Sequence, residues 1–241
     1  MGPRLRHNVL MKYELEPIAY MRSEFPEKFG IPRQSGLVEG LPSRIVFLPQ
    51  YAPKEAFRGL EEYSHVWILW VCSENADAEF KATVRPPRLG GNERVGVYAS
   101  RSPYHPNHIG LSLVKLLSVE CDAPGGPALI VDGADLMDGT PVLDVKPYLA
   151  YTEAVPDAAG GFADRVKGDS AEVEIPGELL LKLPEALRKP LLEILSQNPK
   201  PAYKNDPERI YGMSFSDYNV SFKQDGKLIR VTGIERIKQP E

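Results

Sequence analysis

Apolar and polar positions alternate over short stretches through the first two thirds of the chain, with proline and glycine between them. Residues 13–21 (YELEPIAYM) read as a strand interrupted by Pro17, and 44–48 (RIVFL) as a second strand. The unbroken apolar and aromatic run 63–72 (YSHVWILWVC) predicts a strand buried on both faces. Residues 94–100 and 111–121 predict strands around the loop 101–110, and 128–134 and 141–145 predict strands around 135–140. Between them, 53–62 fits one to two helical turns with Pro53 near its start. The polar, proline-rich stretch 22–42 reads as a long loop, and a loop of that length in a compact domain is usually functional or disordered. Short strands at regular spacing predict a closed, barrel-like sheet.

The pattern changes after Tyr151. Residues 152–178 are rich in Gly, Ala, Asp and Glu and read as a linker or irregular crossover. Leu187, Leu191, Leu192 and Leu195 recur at helical spacing within 184–197, which Pro199 ends. Residues 216–233 read as a hairpin with Asp225-Gly226 as its two-residue turn. The expected architecture is mainly β, α+β overall. It comprises an extension over 1–12, a β-barrel over 13–155 and a small α+β unit over 156–241.

Composition narrows the class. Of 241 residues, 42% are hydrophobic and 26% charged, which excludes collagen, coiled coils and a wholly disordered chain. No run approaches the roughly 20 apolar residues of a membrane span, and 1–10 lacks the apolar region of a secretory signal. Cys72 and Cys121 cannot build a disulfide framework, so a reduced, cytoplasmic protein is expected. The net charge of −4 is unevenly spread: 116–181 carries −10, whereas 79–115 carries +4 and 182–241 carries +3. Basic groups that converge on one surface can bind a polyanion despite an acidic total, although a solvated mixed-sign surface also fits.

Four loops hold the unusual residues: IPRQSG (31–36), VRPPRLGG (84–91), RSPYHPNHIG (101–110) and DLMDGTPVLDVKPY (135–148). In the second, prolines and glycines fix the directions of Arg85 and Arg88. That suits either an anion, which guanidinium grips through a planar fork, or pairing with nearby acids. In the third, His105 and His108 invite a metal reading with His65 and Cys72, but no carboxylate or cysteine stands at metal-ligand spacing, so no metal is expected. In the fourth, Asp135, Asp138 and Thr140 suit a ribose or an amino group, or the segment is an ordinary hairpin turn. The dinucleotide, P-loop and nucleophile-elbow motifs are all missing.

Taken together, PRQSGLV (32–38), RGLEEYSHVWIL (58–69), VRPPRLGGNERVGVYASRSPYHPNHIGLSLV (84–114) and DLMDGTPVLDVKPYLAY (135–151) resemble the TsaA-like family. The run PAYKNDPERIYGMSFSDYNVSF (201–222) is similar to the second region of its bacterial members. The resemblance implies a β-barrel that binds S-adenosylmethionine without a Rossmann fold. It also implies a homodimer that methylates N6 of threonylcarbamoyl-adenosine beside the anticodon of ANN-decoding tRNAs. Carried over by motif, cofactor contacts come from Pro32, Arg33, Gln34, Ser73, Glu74, Arg101, Leu111, Leu136, Asp138, Gly139, Thr140 and Pro141. Contacts with the tRNA anticodon stem-loop are expected from Arg85, Arg88, Arg94, Lys200 and Lys204, with Tyr203 and Tyr211 stacking on bases. Asp135, Asp138, His105 and Tyr203 are the candidate proton acceptors. Three other readings are a non-catalytic RNA-binding barrel, a methyltransferase of another acceptor, and a metal-dependent hydrolase using His65, His105 and His108.

Overall fold

The computed structural model describes residues 12–90, 92–168, 170–199 and 206–237. Six strands close a barrel: β1 (Ala19–Arg22), β2 (Ser43–Phe47), β3 (His65–Val71), β6 (Ile109–Glu120), β7 (Ala128–Asp132) and β8 (Pro141–Pro147). Around the barrel they run β1-β2-β7-β6-β3-β8, and β8 returns to β1. Every neighbouring pair is antiparallel. Alternate side chains point inward, as the pleat requires. Met21, Ile45, Val66, Ile68, Val114, Leu129, Val131 and Val142 fill the interior, each almost fully buried. A barrel of so few strands is packed solid by its own side chains, so ligands must bind at its end or its rim.

The strands differ from expectation in local ways. β3 is not buried on both faces: Val66 and Ile68 face the interior, while Trp67 and Leu69 on the outer face are only half-buried. It is the wall of a barrel rather than the middle of a covered sheet. The first strand begins at Ala19, beyond Pro17, because proline cannot donate to the ladder. Of 94–100 only β5 (Val95–Gly96) is extended, paired with β4 (Thr83–Val84), before a tight turn over Val97–Ala99. The helical turns of 53–62 are two short 3-10 turns, at Lys54–Phe57 and Leu60–Glu62.

Short helices α1 (Ala150–Glu153) and α2 (Phe162–Arg165) lead into the C-terminal unit. There β10 (Tyr211–Phe215), β11 (Tyr218–Asp225), β12 (Leu228–Arg236) and the parallel β9 (Glu172–Glu174) form one sheet. Helices α3 (Gly177–Leu180) and α4 (Glu185–Ser196) accompany it, and Leu191, Ile194 and Leu195 of α4 are buried at helical spacing. The hairpin turn lies one residue later than expected. Asp225 pairs with Leu228, so Gly226 and Lys227 form the loop, and only Gly226 takes a positive φ, +55°.

The long loop 22–42 is neither free nor confined to the barrel. Phe25, Val38 and Leu41 are buried with Leu191, Ile194, Met213, Phe215 and Phe222 in the C-terminal core. Phe29 stacks on Phe222 with centroids 6.3 Å apart. Gly30, at φ +100°, passes so close to Met213 that no side chain would fit there. One loop of the barrel therefore completes the core of the second unit, and its next residues are the PRQ segment.

Candidate functional site

The loops gather at one end of the barrel because of strand order. β7 neighbours β2 and β6, whereas β8 neighbours β1 and β3. Asp135–Thr140 therefore crosses the barrel mouth and is not a hairpin turn. It is clipped to the chain that leaves β1: Gly139 N–H donates to the Met21 carbonyl at 2.9 Å and Asp138 N–H to the Phe25 carbonyl at 2.8 Å. The Asp138 carboxylate accepts from the Ser23 amide at 3.1 Å and faces Arg22 at 3.4 Å.

The floor of the mouth is polar. Trp70 continues the inward-facing series Val66, Ile68 on β3, at a register shift between β3 and β8 that turns the strand end toward the opening. Its ring lies over Gly110, directly opposite on β6, where a Cβ would overlap the indole. Trp70 Nε1 donates to Ser112 Oγ at 3.0 Å, and Ser112 Oγ donates to Asp135 Oδ1 at 2.6 Å. Ser112 has no exposed surface. Burial pushes the Asp135 carboxyl above the usual carboxylate range. The Ser112 hydroxyl, the backbone amides of Asp135 and Ser35, and the Arg101 charge oppose that rise without cancelling it. Burial likewise pushes the Cys72 thiol up, against the pull of Lys28.

Above this floor lies one cleft in three parts. The inner part, about 210 Å³, is walled by Ile31, Trp70, Leu136 and Met137. The outer part, about 300 Å³, shares Trp70, Cys72, Arg101 and Asp135 with it. The third part, about 720 Å³, adjoins them through Arg101 and Gln34. Among the described residues its lining includes Lys81, Arg85, Arg94 and Arg101 and no carboxylate. In a chain of net charge −4, four cations gathered with no acid among the described lining residues make a surface that suits an anion.

Most of the motif residues meet here. Ser73, Glu74, Leu136 and Thr140 line the inner part. Pro32, Arg33, Gln34, His105 and Leu111 line the outer part. Arg101 borders all three. Asp138, Gly139 and Pro141 lie outside the lining; they hold the crossing segment to β1. As a proton acceptor Asp138 is therefore misplaced, since its carboxylate is turned to Arg22 and Ser23. His105 Nε2 lies 3.0 Å from the Ser100 carbonyl, which only accepts, so Nε2 is the donor and Nδ1 is the ring nitrogen left for other contacts.

Two expected RNA contacts are corrected. Arg88 turns inward and donates to the Val166 carbonyl at 3.1 Å, tying the crossover to its loop, because Pro87–Leu89 forms a tight turn. Tyr211 is 7% exposed and stacks on Phe222 in the C-terminal core, so its ring cannot meet a base. Arg85 and Arg94 do line the cationic part, and Arg94 is steadied by Thr83 at 3.0 Å. Lys200, Tyr203 and Lys204 lie outside the described residues. His65 pairs with Ser64 beside Tyr148, and among the described residues no three metal-ligating side chains converge.

Comparison with known proteins decides the family. The model of the tRNA-methyltransferase O N-terminal domain matches residues 20–154, and that of the TrmO C-terminal domain matches 170–237. The chain belongs to the tRNA-methyltransferase O family. The TrmO domains together span both units of the fold. A tRNA (adenine(37)-N6)-methyltransferase of Escherichia coli strain K12 is 39% identical over 222 residues, covering 89% of this chain and 94% of that protein. A protein of the same name from Eikenella corrodens is 47% identical over 162 residues, 67% of this chain and 90% of its own. The crystal structure of TrmO from Pseudomonas aeruginosa superposes with a TM-score of 0.73 at 34% identity, covering 94% of this chain and 98% of that one.

Proposed function

We propose that this protein transfers a methyl group from S-adenosylmethionine to N6 of adenosine 37 in tRNA, beside the anticodon, with threonylcarbamoyl-adenosine as the acceptor. The observation that carries the reading is the largely buried Asp135 under an apolar-walled cleft that adjoins a cationic surface with no acid among its described lining residues. The first half suits a cationic cofactor and the second a polyanionic substrate. The relatives' names point the same way.

The residues present fit the cofactor's chemistry. Ile31, Trp70, Leu136 and Met137 offer apolar faces for an adenine. Arg33 and Arg101 suit its carboxylate. Asp135 suits its positive charge. When bound, the cofactor supplies an electrophilic sulfonium methyl. The protein's task is then alignment and exclusion of water, which can supply much of the acceleration.

An N6 that bears a carbonyl is a poor nucleophile, so removal of its proton assists attack. Asp135 is the acceptor best suited to that step. Ser112 and Trp70 fix its direction, and burial raises its basicity above that of an ordinary carboxylate. Arg85 and Arg94 would hold the phosphates of the anticodon stem-loop, and a base in such a loop can be splayed into the cleft. The protein would act in the cytoplasm as a homodimer, and the exposed Ile109 and Leu111 beside the cleft suit burial against a second copy.

Calorimetric titration of the purified protein tests the reading. Saturable binding of S-adenosylmethionine, competed by its demethylated product, is expected. Binding of tRNA without binding of S-adenosylmethionine would instead make this a non-catalytic RNA-binding module.

A further inference from the structure

The PRQ segment, 32–34, hangs between the two units. On the barrel side Gly36 N–H donates to the Gly133 carbonyl at 2.8 Å and the Ser35 amide acts on the Asp135 carboxylate, which fixes the residues just after the segment. Its centre is held from the other side. The Arg33 backbone N–H donates to Gln197 Oε1 at 3.2 Å, and the Arg33 guanidinium donates to the Asn198 carbonyl. Asn198 follows α4 with φ +55°, a conformation asparagine tolerates better than most residues. Its Oδ1 accepts at 3.0 Å from Gln224, which is 2% exposed on β11 and also donates to the Gly226 carbonyl at 2.9 Å. Toward the cleft, Gln34 Nε2 donates to the Arg33 carbonyl at 2.6 Å, and its Oε1 accepts from Arg101 at 2.7 Å. Unbroken hydrogen bonds thus join a buried amide of the C-terminal sheet to the one guanidinium that borders every part of the cleft. Gln197, Asn198 and Gln224 do not line the cleft themselves.

A loop that is ordered only on binding loses conformational freedom at that moment, and a loop tethered beforehand does not. We infer that Gln197, Asn198 and Gln224 are positioning residues. They hold Pro32–Gln34, and through Gln34 the Arg101 guanidinium, in the binding geometry. The C-terminal unit thereby sets cofactor affinity without touching the cofactor. The inference rests on the reading that residues 32–34 hold S-adenosylmethionine.

The test uses the full chain and measures the Kd and KM for S-adenosylmethionine, kcat, the KM for tRNA, and Tm. Gln197→Met keeps length and bulk but removes the acceptor facing the Arg33 amide, together with the weak 3.4 Å donations of Nε2 to the Leu37 and Glu193 carbonyls. Loss of one such bond predicts a rise of about 3- to 10-fold in Kd and KM for S-adenosylmethionine. At saturating cofactor, kcat and the KM for tRNA stay near wild type. Gln197→Glu keeps the oxygen acceptor for the Arg33 amide while its second oxygen loses the weak donations to Leu37 and Glu193, so it recovers part of the affinity lost in Gln197→Met. Gln34→Ala tests the underlying reading, because that side chain lines the cleft. If Gln34→Ala leaves S-adenosylmethionine affinity unchanged, the assignment of the cofactor to this loop fails and the inference falls with it. If Gln34→Ala weakens binding but Gln197→Met does not, the tether alone is overturned. The same holds if Gln197→Glu binds as weakly as Gln197→Met, or if Gln197→Met lowers kcat and Tm together with affinity.

Discussion

Replacing Asp135 by asparagine separates stability from function. The substitution keeps the shape and leaves an oxygen that can still accept from Ser112, now 2.6 Å from Oδ1. It removes a charge that burial disfavours. A carboxyl raised by burial stabilises the fold only while it is protonated. That contribution is present at acid pH and is lost as pH rises through the raised folded value. At neutral pH wild type therefore carries a cost that Asp135→Asn lacks, worth about 1.4 kcal/mol per pH unit of displacement. For a chain of about this size, each 1 kcal/mol is roughly 2–4 °C in Tm. The expected result is a higher Tm for Asp135→Asn at pH 7–8, with the difference shrinking toward pH 4. Activity should fall by about 10²–10⁴-fold, as for loss of a general base. The rise in Tm on adding S-adenosylmethionine should also shrink, because the cation loses its counter-charge. Thermal melts across pH, with and without cofactor, measure all of this. A variant less stable than wild type at pH 8, or one with unchanged turnover, would refute the reasoning.

Further substitutions probe the supports. Gly110→Ala forces a methyl into the Trp70 indole; overpacking of this kind costs about 1–3 kcal/mol, and both Tm and cofactor affinity should drop. Ser112→Ala leaves Trp70 Nε1 and Asp135 without their shared partner. A loss of about 1–3 kcal/mol in denaturant unfolding is expected, with a lower turnover number. Arg85→Ala or Arg94→Ala should weaken tRNA binding and each reduce the salt slope by about one. Arg88→Ala should lower Tm and leave the slope unchanged, since its guanidinium is spent on the Val166 carbonyl. Filter binding over a salt series distinguishes the two outcomes.

The barrel is legible in the sequence because the short apolar stretches at 44–48, 111–121 and 128–134, set off by turn residues, largely coincide with strands. The motif loops are legible because proline and glycine punctuate them. Other features escape because they depend on partners distant in sequence. Nothing in 22–42 says that Phe25 and Val38 pack on Leu191 and Phe215, well over 100 residues away. Arg85 and Arg88 are alike as residues, and only the turn at Pro87–Leu89 sends one to the cleft and the other inward. Tyr211 has the composition of a stacking residue, but its strand alternates Tyr211, Met213, Phe215 toward the core. Ser112 did leave a signal: it is the lone polar residue on the inward face of β6, in the series Ser112, Val114, Leu116. An interior strand position is given to a hydroxyl only where something needs its hydrogen bonds. Gln197 and Asn198, beside Pro199, look like a helix end and no more, and only the fold shows that they reach Arg33.

The central claim is methyl transfer from S-adenosylmethionine to N6 of the threonylcarbamoyl-adenosine beside the anticodon. Its most direct test is mass spectrometry of nucleosides from tRNA incubated with the protein and cofactor carrying an isotopically labelled methyl. The label is expected on N6 of threonylcarbamoyl-adenosine, and it is expected to be lost with Asp135→Asn. Label on a different nucleoside, or none on tRNA when S-adenosylmethionine is bound, would contradict it.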